Sequence, residues 1–147
     1  MELLKTTHIA SAVIWLGNFV VTGVWSLRAF GSGRSELRAF AVREMLFTDI
    51  IFTLTFGTAV VVSGIVLALN QHIPLWTTAW TRSALVLVSG AGAVWLCVLL
   101  PLELKLHRLG DNSAAQTKRL FTVWNVVGWC LTLAIFAVLY IMVQKPT

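Results

Sequence analysis

Four apolar runs constrain this chain more than anything else in it. They cover residues 6–27, 45–69, 83–102 and 120–143. A bilayer core is about 30 Å thick and takes roughly 20 residues of helix to cross. Backbone N–H and C=O groups find no water there, so a spanning segment must satisfy them within itself, as an α-helix. The expected fold is therefore all-α: an integral membrane four-helix bundle within one transmembrane domain, residues 1–147. The connections are short, which makes successive helices antiparallel, up-down-up-down. Composition agrees. Charged residues make up 12% of the chain, against roughly 25% in soluble proteins. The first run begins almost at Met1, is long enough to span and lacks a small-residue cleavage site, so it reads as a retained span.

The net charge of +5 calls for no nucleic acid. Membrane proteins collect Lys and Arg in their cytoplasmic connections. Residues 28–44 carry Arg28, Arg34, Arg38 and Arg43, and residues 103–119 carry Lys105, Arg108, Lys118 and Arg119. The opposite side holds Lys5, Arg82 and Lys145. This asymmetry predicts both termini on the periplasmic side of a bacterial inner membrane. Gly31-Ser32-Gly33 signals a turn, and residues 36–43 read as a short amphipathic helix feeding the second span. In the connection 70–80, Trp76 and Trp80 suit the membrane interface and Pro74 breaks the helix.

Within the first span, His8, Ser11, Trp15, Asn18, Thr22 and Trp25 recur at intervals of three and four. That spacing stacks them on one helical face. Lipid does not favour a seam holding a histidine and an asparagine, so the seam should face other helices or a bound group. The third span has a small-residue stripe of Val86, Ser89, Gly90, Ala93 and Cys97, with Gly92 beside it. Such a stripe lets another backbone approach closely. The fourth span has a stripe of Asn125, Gly128 with Trp129, Thr132, Phe136 and Tyr140. The two cysteines, Cys97 and Cys130, lie in apolar runs and form no zinc or disulfide pattern.

Topology sorts the polar residues by side. His8, His72 and Arg82 fall near the outer face. A neutral imidazole binds haem iron, and an arginine pairs with a propionate carboxylate. Trp15 and Asn18 would then wall a pocket below His8. The competing reading has His8 hydrogen-bonding a neighbouring helix and Arg82 snorkelling to the headgroups. His72 is either a second iron ligand or an exposed loop residue. Near the cytoplasmic face, Asp49 is costly unless it is paired. Arg119, Arg43 or Arg28 are candidate partners, and Asn125 a candidate hydrogen-bond donor. A structural clamp or a proton path would account for such an acid, but mid-membrane residues such as Ser63, Thr58, Ser89 and Thr132 make a poor relay. Phosphate loops, His-Glu-x-x-His pairs and Gly-x-Ser-x-Gly elbows are absent. Few midplane polar residues means no evident pore.

Several segments resemble a family of bacterial integral membrane proteins known only as predicted four-helix membrane proteins. They are Leu4-Lys5-x-x-His8, Trp25-x-Leu-Arg28-Ala29, Val42-Arg43 with Leu46-Phe-Thr-Asp49-Ile-Ile-Phe-Thr53, Trp95-Leu-x-Val-Leu-Leu-Pro101-Leu and Arg119-Leu-Phe121 with Lys145-Pro146. A more distant resemblance is to the HemJ-type protoporphyrinogen oxidases, carried by Lys5, His8 and Trp15. It implies haem b, with His8 as the axial ligand. Arg82 stands where that family has an essential lysine, and arginine does not readily act as a base. The oxidase's leucine-proline-arginine element after the first helix is also missing. A looser likeness is to CopD-type copper-resistance proteins, but the spans lack the several Met or His residues that copper transport implies.

Three functional expectations follow. The first is a haem b-binding membrane protein, redox-active or haem-handling, with His8 on the iron, His72 as a possible second ligand and Arg82 on a propionate. The second is a HemJ-type protoporphyrinogen IX oxidase, hence an oxidoreductase. The third is a non-catalytic accessory or assembly subunit, acting as a homo-oligomer or within a larger membrane complex through the small-residue stripe.

Overall fold

The computed structural model describes residues 1–109 and 114–145. Among these, four long helices account for nearly everything: α1 (Glu2–Gly31), α2 (Ser35–Asn70), α3 (Ala79–Leu109) and α4 (Ala114–Gln144). All four are long and apolar enough to cross a membrane. The bundle expected from the apolar runs is the fold that forms.

The helices are longer than the runs. At 1.5 Å per residue they measure roughly 45–55 Å, against about 30 Å of hydrocarbon. Hydropathy registers only the part immersed in lipid. The amphipathic segment before the second span is the opening of α2 and runs into it without a break. α3 likewise starts at Ala79, ahead of residue 83, and continues to Leu109. Glu103, taken from the sequence as the first residue of a connection, lies inside α3 and is completely buried.

Breaks between helices have local causes. Gly33 takes a φ of +72°, a left-handed conformation that glycine adopts without steric cost. Arg34 N–H then donates to Ser32 Oγ at 3.2 Å before α2 begins. After α2, His72 adopts a φ of +54° and Ile73 N–H reaches back to the Ala68 carbonyl at 2.9 Å. Pro74 stands in that connection as expected. Its carbonyl and that of Leu75 accept from Thr81 Oγ1, which ties the connection to the first turn of α3.

α1 packs on α2 and on α4, and α3 packs on α4. α2 and α3 meet at only one end, where the opening of α2 lies against the last turns of α3. That is the end carrying the two basic connections. Toward the end carrying the termini, α2 and α3 scarcely approach one another. Each of these helices contains one π-helical turn, Asp49–Leu54 in α2 and Trp95–Leu99 in α3. The core joins Met45, Leu99, Leu106, Phe121, Trp124 and Leu131.

Close helix approach relies on glycines that receive rings. A Cβ at Gly57 would stand 3.2 Å from the Trp15 indole, one at Gly23 3.1 Å from Trp129, and one at Gly64 3.0 Å from His8 Cε1. The contacts of Trp15 with Gly57 and of His8 with Gly64 set the antiparallel register of α1 on α2.

Candidate functional site

The seam on α1 faces the bundle. Ser11, Trp15 and Thr22 are buried, and His8, Asn18 and Trp25 are half-buried. It does not serve one pocket. Its polar residues divide between two sites at different depths.

The first site is at the terminal end. His8 Nδ1 is 2.9 Å from Ser63 Oγ on α2. Ser63 Oγ also donates to the Ala59 carbonyl. A hydroxyl has one proton. With that proton on the carbonyl, Ser63 can only accept from the imidazole. In that arrangement Nδ1–H donates to Ser63 and Nε2 keeps its lone pair, with the Val60 carbonyl a second acceptor beside the ring. This is the arrangement of a histidine ready to ligate a metal through Nε2, with a second group fixing ring and tautomer. Arg82 is exposed at the start of α3, at the same end of the bundle. His72 is exposed in the connection after α2. Among the described residues no group of three or more His, Cys, Asp or Glu gathers into a metal-binding cluster.

Trp15 and Asn18 do not join His8. The Trp15 ring packs on Gly57 and lies 5.6 Å from Phe19. Its buried Nε1 has no hydrogen-bond partner. Asn18 Nδ2 instead donates to Asp49 Oδ1 and to Thr53 Oγ1, each at 3.3 Å, and its Oδ1 accepts from Thr22 Oγ1.

The second site is built around Asp49 and lies deeper, toward the basic end. Asp49 is 3% exposed and Glu103 0%. Asp49 Oδ1 accepts from Asn18 and from Thr53 Oγ1 at 3.1 Å. Asp49 Oδ2 accepts from the Trp95 indole at 2.8 Å. Glu103 Oε1 accepts from the Trp124 indole at 2.6 Å. The two carboxyl groups are direct neighbours. They stand close enough for a proton on one to bridge to the other, and Glu103 Oε2 has no other partner among the described residues. Asp49 opens the π turn of α2, and Trp95 opens that of α3. Such turns often mark functional positions in helices.

Asp49 is thus not paired with arginine. Arg28, Arg43 and Arg119 are all exposed, and Arg43 bonds its neighbour Glu44 at 3.2 Å. Long cations reach water from helix ends, whereas Asp49 is enclosed by indoles, an amide and a hydroxyl. Nor does Asn125 bond it. Asn125 lines a narrow cavity with Asp49, Thr22 and Thr132, and its own buried Nδ2 has no acceptor. That cavity, of about 20 Å³, admits one water molecule. Sequence reasoning missed Glu103 altogether. A signal existed: Leu99, Glu103 and Leu106 follow a four-three spacing that continues the buried face of α3, and all three are at most 1% exposed.

A family model of integral membrane proteins matches residues 2–146. The chain belongs to that family, described as predicted integral membrane protein (DUF2269). Membership accords with the four apolar helices and makes this a multi-pass membrane protein in a lipid bilayer. No curated protein and no solved structure matches.

Proposed function

We propose that this DUF2269 protein binds haem b, with His8 as an axial ligand through Nε2, and that it handles haem or electrons in the membrane. One observation carries the reading: the Ser63 hydroxyl, whose own proton goes to the Ala59 carbonyl, stands 2.9 Å from His8 Nδ1 and so favours the tautomer with an Nε2 lone pair. Two further features support it. Gly64 brings the ring against α2 with no side chain in between. α2 and α3 make few contacts toward the terminal end, the side from which a flat macrocycle would approach His8. Arg82, exposed at that end, is a donor for a propionate. Bound haem would supply a one-electron centre. The chain's own contribution is the fixed imidazole and the apolar surroundings that tune its potential. Eight basic residues at the opposite end favour the bacterial cytoplasmic membrane, with this site on the periplasmic side.

The test is the absorption spectrum of protein purified in detergent after haem-replete expression. A Soret band is expected in the wild type and is lost in His8→Ala. A colourless wild type, or an unchanged band in His8→Ala, would sink the proposal.

A second reading has its own observation. Ser89, Gly90, Ala93 and Cys97 all lie on the exposed side of α3, and a Cβ at Gly90 or Gly92 would meet nothing within 4 Å. We propose this stripe as the contact for a second copy or a partner subunit. Crosslinking through Cys97 in membranes tests it. A monomer band alone counts against it.

A further inference from the structure

The buried acids of α2 and α3 do not belong to the haem reading. They lie on the basic-end side of His8, and α1 reaches them through Asn18 and not through the histidine. We propose that Asp49 and Glu103 form a proton-binding site, in which Glu103 carries an exchangeable proton beside an ionised Asp49. This goes beyond the haem proposal and does not depend on it.

Hydrogen-bond bookkeeping makes the assignment. An ionised carboxylate only accepts, whereas a carboxylic acid has one oxygen that accepts and one hydroxyl that donates. Asp49 has three donors aimed at its two oxygens: Asn18 Nδ2 and Thr53 Oγ1 at Oδ1, and Trp95 Nε1 at Oδ2. Every one of those contacts suits a negative charge. Glu103 has a single donor, the Trp124 indole, at Oε1. Its Oε2 is fully buried and meets no donor. A bare carboxylate oxygen enclosed by protein carries a large desolvation penalty. A hydroxyl at that position does not, and its neighbour is the Asp49 carboxylate. Like charges side by side in a low dielectric are avoided in the same way.

Among the described residues, no cation is seen to bond either acid. From α1 the group facing it is the uncharged Asn18, from α2 Thr53, from α3 Trp95 and from α4 Trp124. Of the charged residues at the same end, Arg28, Arg34, Glu36, Arg43, Lys105, His107, Arg108, Lys118 and Arg119 are exposed, Arg38 is half-buried and donates to the Gly33 carbonyl, and Glu44 is half-buried and bonded to Arg43. A mostly apolar cavity with Thr22, Asn125 and Thr132 on its wall reaches Asp49. It has room for one water molecule against Asp49, the neighbour of Glu103. Binding or releasing the proton changes the site charge by one unit where two π turns meet through the Trp95–Asp49 bond.

Infrared spectroscopy of the purified protein, with or without haem, tests the proposal directly. At neutral pH the wild type should show one carbonyl band of a protonated carboxylic acid, shifted in D2O. The band should move when glutamate is labelled with 13C at its carboxyl carbon, stay put when aspartate is labelled, and vanish in Glu103→Gln. The labelling arms use wild-type protein, so they decide the matter even if the variant fails to fold. Absence of the band, or a band that does not shift in D2O, overturns the exchangeable proton. A band that moves with labelled aspartate overturns the assignment to Glu103. A band abolished by sodium at constant pH shows a metal-cation site instead.

Discussion

The two polar sites of this bundle are made from one face of one helix, yet they are built on opposite terms. At the terminal end, His8 is half-buried, holds one side-chain partner and rests on a glycine. Nearly three turns further along, Asn18 enters a site with buried acids on α2 and α3, each accepting an indole N–H. The first site leaves a lone pair unused, which suits a ligand from outside the chain. The second turns almost every polar atom inward, and its one orphaned oxygen, Glu103 Oε2, suits a proton. What differs is enclosure. α2 and α3 close on each other only at the basic end, so only there can two acids be sealed from water.

The largest expected effect tests that enclosure. Asp49→Ala removes the acceptor for three donors. At about 0.6 kcal/mol per hydrogen bond inside a membrane bundle, with added cost for the stranded indole, a loss of about 2–3 kcal/mol is expected. Reversible unfolding in mixed micelles measures it. A loss below about 0.5 kcal/mol would make the deep site no more structural than the shallow one.

Next come the two ring-bearing glycines. Gly57→Val forces the enclosed Trp15 indole to move, and should cost about 1–3 kcal/mol as overpacking. Gly64→Val meets the half-exposed His8 ring, which has room to swing, and should cost less. Equal losses in the same unfolding assay would contradict the difference in enclosure.

A smaller change in stability, about 0.6 kcal/mol, is expected of Ser63→Ala, which removes the one hydrogen bond of Ser63 that joins two helices. Its effect on function should be greater. The imidazole loses the group that fixes its tautomer, and haem affinity should fall by roughly 10–100-fold in a spectroscopic titration. Unchanged affinity would show that Ser63 does not orient the ligand.

The smallest effect belongs to the exposed stripe of α3. Gly90→Leu meets open space in the chain itself, so stability should stay within about 0.5 kcal/mol of wild type. A clear destabilisation in the membrane, absent from dilute detergent, would show that another helix covers the stripe.

Four helices, their antiparallel order and the inward seam of α1 were readable because hydropathy and helical period depend on residue type alone. Helix ends were not, because an α-helix outlasts the lipid it crosses. Asp49 could be singled out, since a carboxylate one turn into an apolar run is conspicuous. Its partners could not be chosen. Arginine is the usual expectation for a membrane acid, and nothing local says that indoles will stand in its place. Glu103 went unseen for a related reason: an acid at the end of an apolar run is most simply a loop residue, unless the face it shares with Leu99 and Leu106 is followed past the run.

The sequence alone therefore determined how many times the chain crosses the bilayer and which face of α1 turns inward, because both follow from periodicity within single segments. Only the tertiary structure decided what that face meets. The protonated nitrogen of His8 depends on where the proton of Ser63 goes, and the pairing of Asp49 with Glu103 depends on α2 and α3 converging at one end. Those contacts join residues some 55 positions apart in both cases, and no pattern within one helix contains them.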